Sequence, residues 1–154
     1  MFETKYKKEQ FIKLSWNEYG EILEKLLVKV QEYINNNSIT IDAVMPILRG
    51  GAFPGGFLAS RLKILRILPV QYKYFFENEK VILKRIFGLE SIPSDLPQNP
   101  TILLVENNHC FGLTASTAAK DLKDLMPGCN IIYAADNMDY SYQENEYADT
   151  LFYG

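Results

Sequence analysis

The chain has 154 residues, a formal net charge of −3 and an apolar content of 47%. This length is enough for one domain with a real core, and the apolar content excludes a disordered chain. The slightly acidic balance argues against nucleic-acid binding. The two cysteines provide no disulfide framework, and no apolar run suits a signal peptide or a membrane span. Residues 1–154 are therefore expected to form a single cytoplasmic domain with no membrane partner.

A capping box precedes the first predicted helix. Ser15 and Glu18 have the spacing at which each side chain caps the backbone amide of the other residue. Apolar residues then recur at helical spacing up to an Asn-rich turn at residues 35–38. They are Trp16, Tyr19, Ile22, Leu23, Leu26, Leu27, Val30 and Ile34. Trp16 is expected to anchor the core rather than to bind a ligand, and residues 11–14 are expected to form a short edge strand.

A strand, a glycine loop and a helix succeed one another early in the chain. Residues 43–48 are apolar over the length of a strand, as is typical of a strand covered on both faces. Arg49, Gly50 and Gly51 follow. Paired glycines let the backbone approach a ligand, and arginine adds a forked cation suited to phosphate. Pro54 suits the first turn of a helix. By itself the pattern fits either an ordinary turn or an anion-binding loop.

Further strands and helices alternate along the chain. Strands are expected at residues 68–75, 81–87, 101–105 and 130–135, and a helix at 114–126 with Ala115, Ala118, Ala119, Leu122 and Leu125 facing inward. Pro46 either lies near the end of its strand or locally breaks the ladder. The alternation predicts an α/β fold with a doubly wound, mostly parallel sheet flanked by helices. Ligands of such sheets bind beyond the carboxyl ends of the strands, which would bring Arg49 and residues 106–114 to one crevice.

The glycine loop and its helix resemble those of type I phosphoribosyltransferases, most of all the bacterial xanthine-guanine branch. The residues that carry the resemblance are Arg49, Gly50, Gly51, Pro54, Gly55, Leu58, Ala59, Leu62 and Ile64, with the Ser15-Trp16 pair that opens the first helix. The resemblance runs in order from Ser15 to the C-terminal tail. It implies a small hood, a cis peptide between Leu48 and Arg49, and a flap hairpin over residues 73–87. Solvated charge alone also explains that hairpin.

The second signature of this family is altered here. In the family, two acids hold the ribose of phosphoribosyl pyrophosphate (PRPP), and a loop at a helix N-terminus binds its 5′-phosphate. The residues that stand at these positions are Glu106 and Asn107 for the acids, and Cys110, Phe111, Gly112, Leu113 and Thr114 for the loop. Gly112 and Thr114 keep the bend and one hydroxyl. His109 contacts a ligand, acts in proton transfer or is a bystander, and Cys110 is either a reactive thiol or inert.

The position that selects the base also differs. Ala135, followed by Asp136, stands where the xanthine-guanine branch carries a lysine that recognises the purine 6-oxo group. An oxopurine is therefore not the implied substrate. The aromatic residues of the tail either stack a base or pack the hood. They are Tyr140, Tyr142, Tyr147 and Phe152.

The resemblance implies a transferase that moves phosphoribose from PRPP to a purine-like base and releases pyrophosphate. Arg49, Gly50 and Gly51 would bind the pyrophosphate, Glu106 and Asn107 the ribose, and residues 111–114 the 5′-phosphate. Mg²⁺ would be held mainly by PRPP, with no dedicated protein ligands. Family members commonly form homodimers. Two other interpretations remain open: a catalytically silent relative that binds a nucleotide or phosphate in a regulatory role, and a protein that uses the fold as a scaffold.

Overall fold

The computed structural model describes residues 13–138, 148 and 150–154. Its helices are α1 (Trp16–Asn36), α2 (Ala52–Arg61) and α3 (Leu113–Leu125). Its strands are β1 (Ala43–Leu48), β2 (Val70–Glu77), β3 (Lys80–Phe87), β4 (Thr101–His109), β5 (Asn130–Met138) and β6 (Thr150–Tyr153). The reciprocal capping of Ser15 and Glu18 at α1 is confirmed. Of the edge strand predicted at 11–14, residues 13 and 14 form no strand, and the rest lies outside the described residues.

The strands form one six-stranded sheet in the order β3-β2-β1-β4-β5-β6. All neighbours are parallel except the antiparallel pair β2 and β3. One face packs against α3 through Ala115, Ala118, Ala119 and Leu122, and the other packs against α1 and α2. The prediction of a doubly wound, mostly parallel α/β sheet is confirmed. This topology brings the carboxyl ends of β1, β4 and β5 to one edge.

Pro46 breaks the sheet ladder locally. Val44 exchanges backbone hydrogen bonds with Arg66 and Leu68 on the β2 side. Because alternate residues of a strand point the same way, the missing N–H of Pro46 faces that side too. The ladder is interrupted there and resumes where Ile47 pairs with Val70. The second of the two alternatives for Pro46 is therefore the correct one.

The predicted hairpin consists of β2 and β3. The residues of its turn, Asn78 and Glu79, both have positive φ angles, 48° and 62°, which is the pattern of a type I′ turn. The ammonium groups of Lys73 and Lys84 lie 5.9 and 5.6 Å from the centroid of the Phe75 ring. The hairpin exists as predicted, and its closure as a flap stays a prediction.

Trp16 is not the core anchor that its place in the apolar stripe predicts. Its side chain is 78% exposed and contacts the rings of Tyr19 and Phe53 at the surface. The buried part of α1 begins only at Leu23. Helical spacing identifies the face of a helix that packs on a sheet, but it does not indicate how far along the helix the packing extends.

Within the described part of the chain, no helix is both long enough and apolar enough to cross a membrane.

Candidate functional site

The glycine loop after β1 is packed against β4. A Cβ atom at Gly51 would collide with the Val105 carbonyl oxygen and lie 2.8 Å from the backbone nitrogen of Ile47. A Cβ atom at Gly50 would collide with the Asn107 side chain. Only glycine fits at position 51, where the atoms met belong to the backbone, whereas a Cβ at position 50 would require the Asn107 side chain to move. The two predicted ligand-binding segments therefore meet as expected. The peptide between Leu48 and Arg49 is cis, which confirms that prediction.

The backbone amides of this loop have different roles. The Gly51 N–H donates to the Ile47 carbonyl at 2.8 Å, and the Ala52 N–H donates to the Arg49 carbonyl at 3.1 Å. These amides shape the turn. Among the described residues, the Gly50 N–H donates no hydrogen bond, so it is available to an anion. Gly51 therefore acts through its lack of a side chain rather than through its amide.

An open cleft of about 840 Å³ lies beside the loop. Its lining residues are Leu48, Arg49, Gly50, Gln71, Tyr72, Lys73 and Ile86. Arg49 is exposed and forms no ion pair with any residue that the structure describes. Lys73 adds a second cation at this cleft. Neither Lys73 nor Gln71 was predicted to line a ligand cleft, although their alternation in β2 indicates a common side of the strand. The cleft suits a polyanion.

Strand β4 extends further than predicted, through His109 rather than to Val105. The ladder continues because β5 also extends, so that Asn108 pairs with Asn137 and His109 with Met138. His109 is consequently a buried residue at the end of a strand, 1% exposed, and not a mid-loop residue that could touch a ligand. The correction follows from the partner strand, which the local sequence does not reveal.

Glu106 occupies a low-dielectric position near the end of β4. Burial raises the pKa of Glu106 to about 7, and a hydrogen bond from the Tyr133 hydroxyl partly opposes this rise. That hydroxyl lies 3.4 Å from Glu106 Oε2 and 3.2 Å from Nδ1 of His109. Sequence patterns did not indicate Tyr133, which occurs within an apolar strand and carries no motif. The raised pKa makes the charge of Glu106 sensitive to pH near neutrality.

Replacing Glu106 by glutamine is expected to change how stability depends on pH. The carboxyl of an unfolded chain titrates near 4.3, and the folded value is higher, so the native state binds the extra proton between about pH 4.3 and 7. Stability contributed by Glu106 is therefore present at low pH and falls as pH rises through this window. The thermal midpoint of Glu106→Gln minus that of the wild type should therefore increase as the pH rises from 4 to 8.5.

Thermal unfolding midpoints across that pH range measure the effect, with the variant at the exposed residue Glu90, Glu90→Gln, as the matched control. Curves of wild type and Glu106→Gln that stay parallel from pH 4 to 8.5 would contradict the assignment.

The phosphate-loop candidate forms a tight turn into α3. Gly112, the N-cap of α3, has φ 69° in the left-handed region and provides no side-chain cap. The hydroxyls of Ser116 and Thr117 donate to the Leu113 carbonyl, at 3.1 and 2.7 Å. The first amides of α3 therefore retain their capacity to bind an anion. Phe111 is 75% exposed beside them.

At the end of β5, Ala135 and Asp136 are both buried. The Asp136 carboxylate accepts hydrogen bonds from the Tyr19 hydroxyl and, at 3.0 Å, from the Asn137 amide. Burial raises the pKa of Asp136. Asp136 thus joins β5 to α1. Phe152 packs 5.2 Å from the ring of Tyr33, which supports the packing alternative for this residue. The other tail aromatics, Tyr140, Tyr142 and Tyr147, and the predicted hood lie outside the described residues.

Comparisons with known proteins show what the fold is. No family model matches the sequence. A glutamate racemase from Pectobacterium atrosepticum is 38% identical over 57 residues, which cover 37% of this chain and 19% of the racemase. The chain thus matches about a fifth of that protein's length, and so short a match does not assign a family.

Solved structures match nearly the whole chain. A hypothetical protein from Neisseria gonorrhoeae with bound ppGpp has a TM-score of 0.74 at 20% identity, over 92% of this chain and 79% of its own. A Helicobacter pylori xanthine-guanine-hypoxanthine phosphoribosyltransferase has 0.73 at 18%, over 90% and 84%. A Pyrococcus horikoshii purine phosphoribosyltransferase has 0.67 at 19%, over 93% and 87%. The chain has the type I phosphoribosyltransferase fold. Its structural neighbours include purine phosphoribosyltransferases.

Proposed function

We propose that the protein is a phosphoribosyltransferase that transfers phosphoribose from PRPP to a purine-like base and releases pyrophosphate. The observation that carries the proposal is the contact between the two predicted ligand-binding segments. In this contact Gly50 lies against the Asn107 side chain, beside the Arg49 cleft. Because β1 and β4 are parallel neighbours, the loops that follow them, with Arg49 and the N-terminus of α3, lie at one edge of the sheet. The purine phosphoribosyltransferases among the structural neighbours support the same class of reaction.

Pyrophosphate would bind in the cleft that holds Arg49. The Arg49 guanidinium would donate two parallel hydrogen bonds to phosphate oxygens, and the Gly50 amide would donate to the same phosphate. Lys73, on β2, adds a second positive charge. These donors stabilise the negative charge that develops on the pyrophosphate as it leaves. Gly51 keeps the loop close to β4. Catalysis in this site is mainly positioning and charge stabilisation.

The ribose and the 5′-phosphate would lie along β4 and the start of α3. Glu106 accepts hydrogen bonds from the ribose hydroxyls. The Asn107 side chain contacts Gly50 and so determines how closely the glycine loop approaches β4. The amides at Gly112, Leu113 and Thr114 cradle the 5′-phosphate with the aid of the helix dipole. Phe111 replaces a hydroxyl donor with an exposed ring, which weakens the phosphate site.

Magnesium would act together with PRPP. Among the residues that the structure describes, no group of three or more His, Cys, Asp or Glu could hold a metal ion. We propose that the ion is held mainly by the phosphate and ribose oxygens of PRPP, since Mg²⁺ needs few protein ligands. When bound, the ion neutralises charge on the pyrophosphate. The chain's own cations, Arg49 and Lys73, orient the same group.

Calorimetric titration of PRPP with Mg²⁺ tests the proposal, with Phe111→Thr beside the wild type. We expect measurable binding by the wild type and binding about 10- to 100-fold tighter in Phe111→Thr, because a hydroxyl donor to phosphate is restored. Leu65→Thr, at a fully exposed apolar position away from the cleft, is the matched control and should bind as the wild type does. A pyrophosphate-release assay with a panel of bases follows.

Absence of heat in both the wild type and a folded Phe111→Thr variant, at millimolar PRPP, would overturn the proposal and favour the scaffold interpretation.

A second candidate is a catalytically silent protein that binds a phosphorylated nucleotide in a regulatory role. It is favoured by the Neisseria gonorrhoeae neighbour, which holds ppGpp, and by the methyl group of Ala135 at the base-selecting position. Saturable PRPP or nucleotide binding without pyrophosphate release from any base would support this candidate. For either function we propose a cytoplasmic homodimer, which light scattering on the purified protein would test.

A further inference from the structure

His109 occupies an unusual position for the one histidine of the chain. Its imidazole is 1% exposed and packs against two aromatic rings. The centroid distances are 5.4 Å to Tyr133 and 6.0 Å to Tyr153, at interplanar angles of 61° and 53°. The imidazole therefore does not contact a ligand in the cleft. Any influence on the site must pass through a neighbour.

The neighbour that connects His109 to the site is Tyr133. Its hydroxyl oxygen lies 3.2 Å from His109 Nδ1 and 3.4 Å from Glu106 Oε2. Both contacts are longer than the usual O–H···O distance of about 2.7–2.8 Å, and both lie within reach of a hydrogen bond. The three groups form a row from the buried end of β4 to the residue proposed to hold ribose.

Counting protons gives one arrangement of the hydrogen bonds in this row. A phenol carries one proton, and an ionised carboxylate only accepts. If Tyr133 donates to ionised Glu106, the tyrosine oxygen can only accept from His109. The imidazole must then carry its proton on Nδ1. The tautomer of the buried histidine is thereby coupled to the charge of Glu106.

We propose that His109 and Tyr133 are positioning residues, which hold the Glu106 carboxylate charged and oriented toward the ribose of PRPP. The inference rests on the proposed function, because it assigns a supporting role behind the ribose-binding residue. Burial disfavours the charged form of Glu106, and the Tyr133 hydrogen bond is the contact that favours it. The competing explanation is packing alone, for which a phenylalanine at position 133 would serve as well.

The first test measures the tautomer of His109 directly. Because the chain has one histidine, ¹⁵N NMR of the imidazole gives one set of signals without assignment. At pH 8.5 we expect the wild type to show the Nδ1–H tautomer, and Tyr133→Phe to lose this preference. Tyr33→Phe is the matched control, since it removes another tyrosine hydroxyl, which accepts a hydrogen bond from Thr150 at 2.8 Å and does not line the Arg49 cleft. An Nε2–H tautomer in the wild type at pH 8.5 would overturn the proposal.

The second test measures PRPP binding at pH 8.5. We expect Tyr133→Phe to weaken binding roughly 3- to 12-fold, as loss of one hydrogen bond predicts, and Tyr33→Phe to leave it unchanged. Equal binding by wild type and Tyr133→Phe would overturn the positioning role while the proposed function stood. Failure of all these proteins to bind PRPP would instead overturn the proposed function and, with it, the inference that depends on it. The NMR experiment does not require a ligand. If one variant does not fold, the tautomer of His109 in the wild type still decides the question.

Discussion

Gly51→Ala should lower the free energy of unfolding by about 3 kcal/mol or more, which is at the upper end of the cost of overpacking. The added Cβ would meet the backbone of Val105 and Ile47, and neither strand can move without disturbing its ladder. For a chain of this length the loss corresponds to about 6–12 °C in the thermal midpoint. Differential scanning calorimetry measures it.

Gly56→Ala is the matched control for this substitution. Gly56 lies within α2, only five positions further along the chain, and a Cβ there would meet nothing within 4 Å. Alanine should stabilise the helix by roughly 0.5–1 kcal/mol through its better helix propensity. Equal midpoints for the two variants would contradict the close packing of the glycine loop on β4.

Arg49→Ala should weaken PRPP binding by about 10- to 150-fold, the loss expected for a charge-assisted hydrogen bond of about 1.5–3 kcal/mol to phosphate. The thermal midpoint should stay near that of the wild type, because Arg49 is exposed and forms no ion pair with a described residue. Arg49→Lys should fall between the two proteins, since it keeps the charge and loses the fork. Titration calorimetry with Mg²⁺ and PRPP measures all three.

Arg61→Ala provides the control for a lost surface arginine. Arg61 ends α2 and pairs with Glu24 of α1 at the surface, where both side chains are about half exposed. Its loss should cost at most about 1 kcal/mol of stability and leave PRPP binding unchanged. If Arg49→Ala and Arg61→Ala weakened binding equally, the effect would be one of net charge, and the Arg49 cleft would not be the pyrophosphate site.

Local patterns were sufficient for much of the fold. The capping box at Ser15 and Glu18, the apolar run of β1 and the inward alanines of α3 each depend on neighbours within a few residues. The glycine pair after β1 is also a local signal, because a close backbone approach requires glycine whatever the rest of the chain does. Alternation of such elements was enough to predict the parallel sheet and the edge at which its loops meet.

The errors share a different cause. The exposure of Trp16 depends on where the sheet lies beneath α1, and the length of β4 depends on how far β5 accompanies it. Neither is encoded in the spacing of apolar residues near the position concerned. A pattern of period 3.6 or 2 specifies which face is buried, and the packing partner specifies how much of that face is covered.

The sequence by itself predicted the order of elements from α1 to β5 and the class of the sheet, since these follow from local periodicity. The two candidate ligand-binding segments came from the family resemblance of the sequence. Only the tertiary structure decided that His109 is buried, that Tyr133 joins it to Glu106, and that Lys73 lines the cleft with Arg49. Tyr133 lies 24 residues from His109 and 27 from Glu106. Contacts at such separations are set by the register of parallel strands joined through α3, because hydrogen bonding between strands fixes which side chains meet.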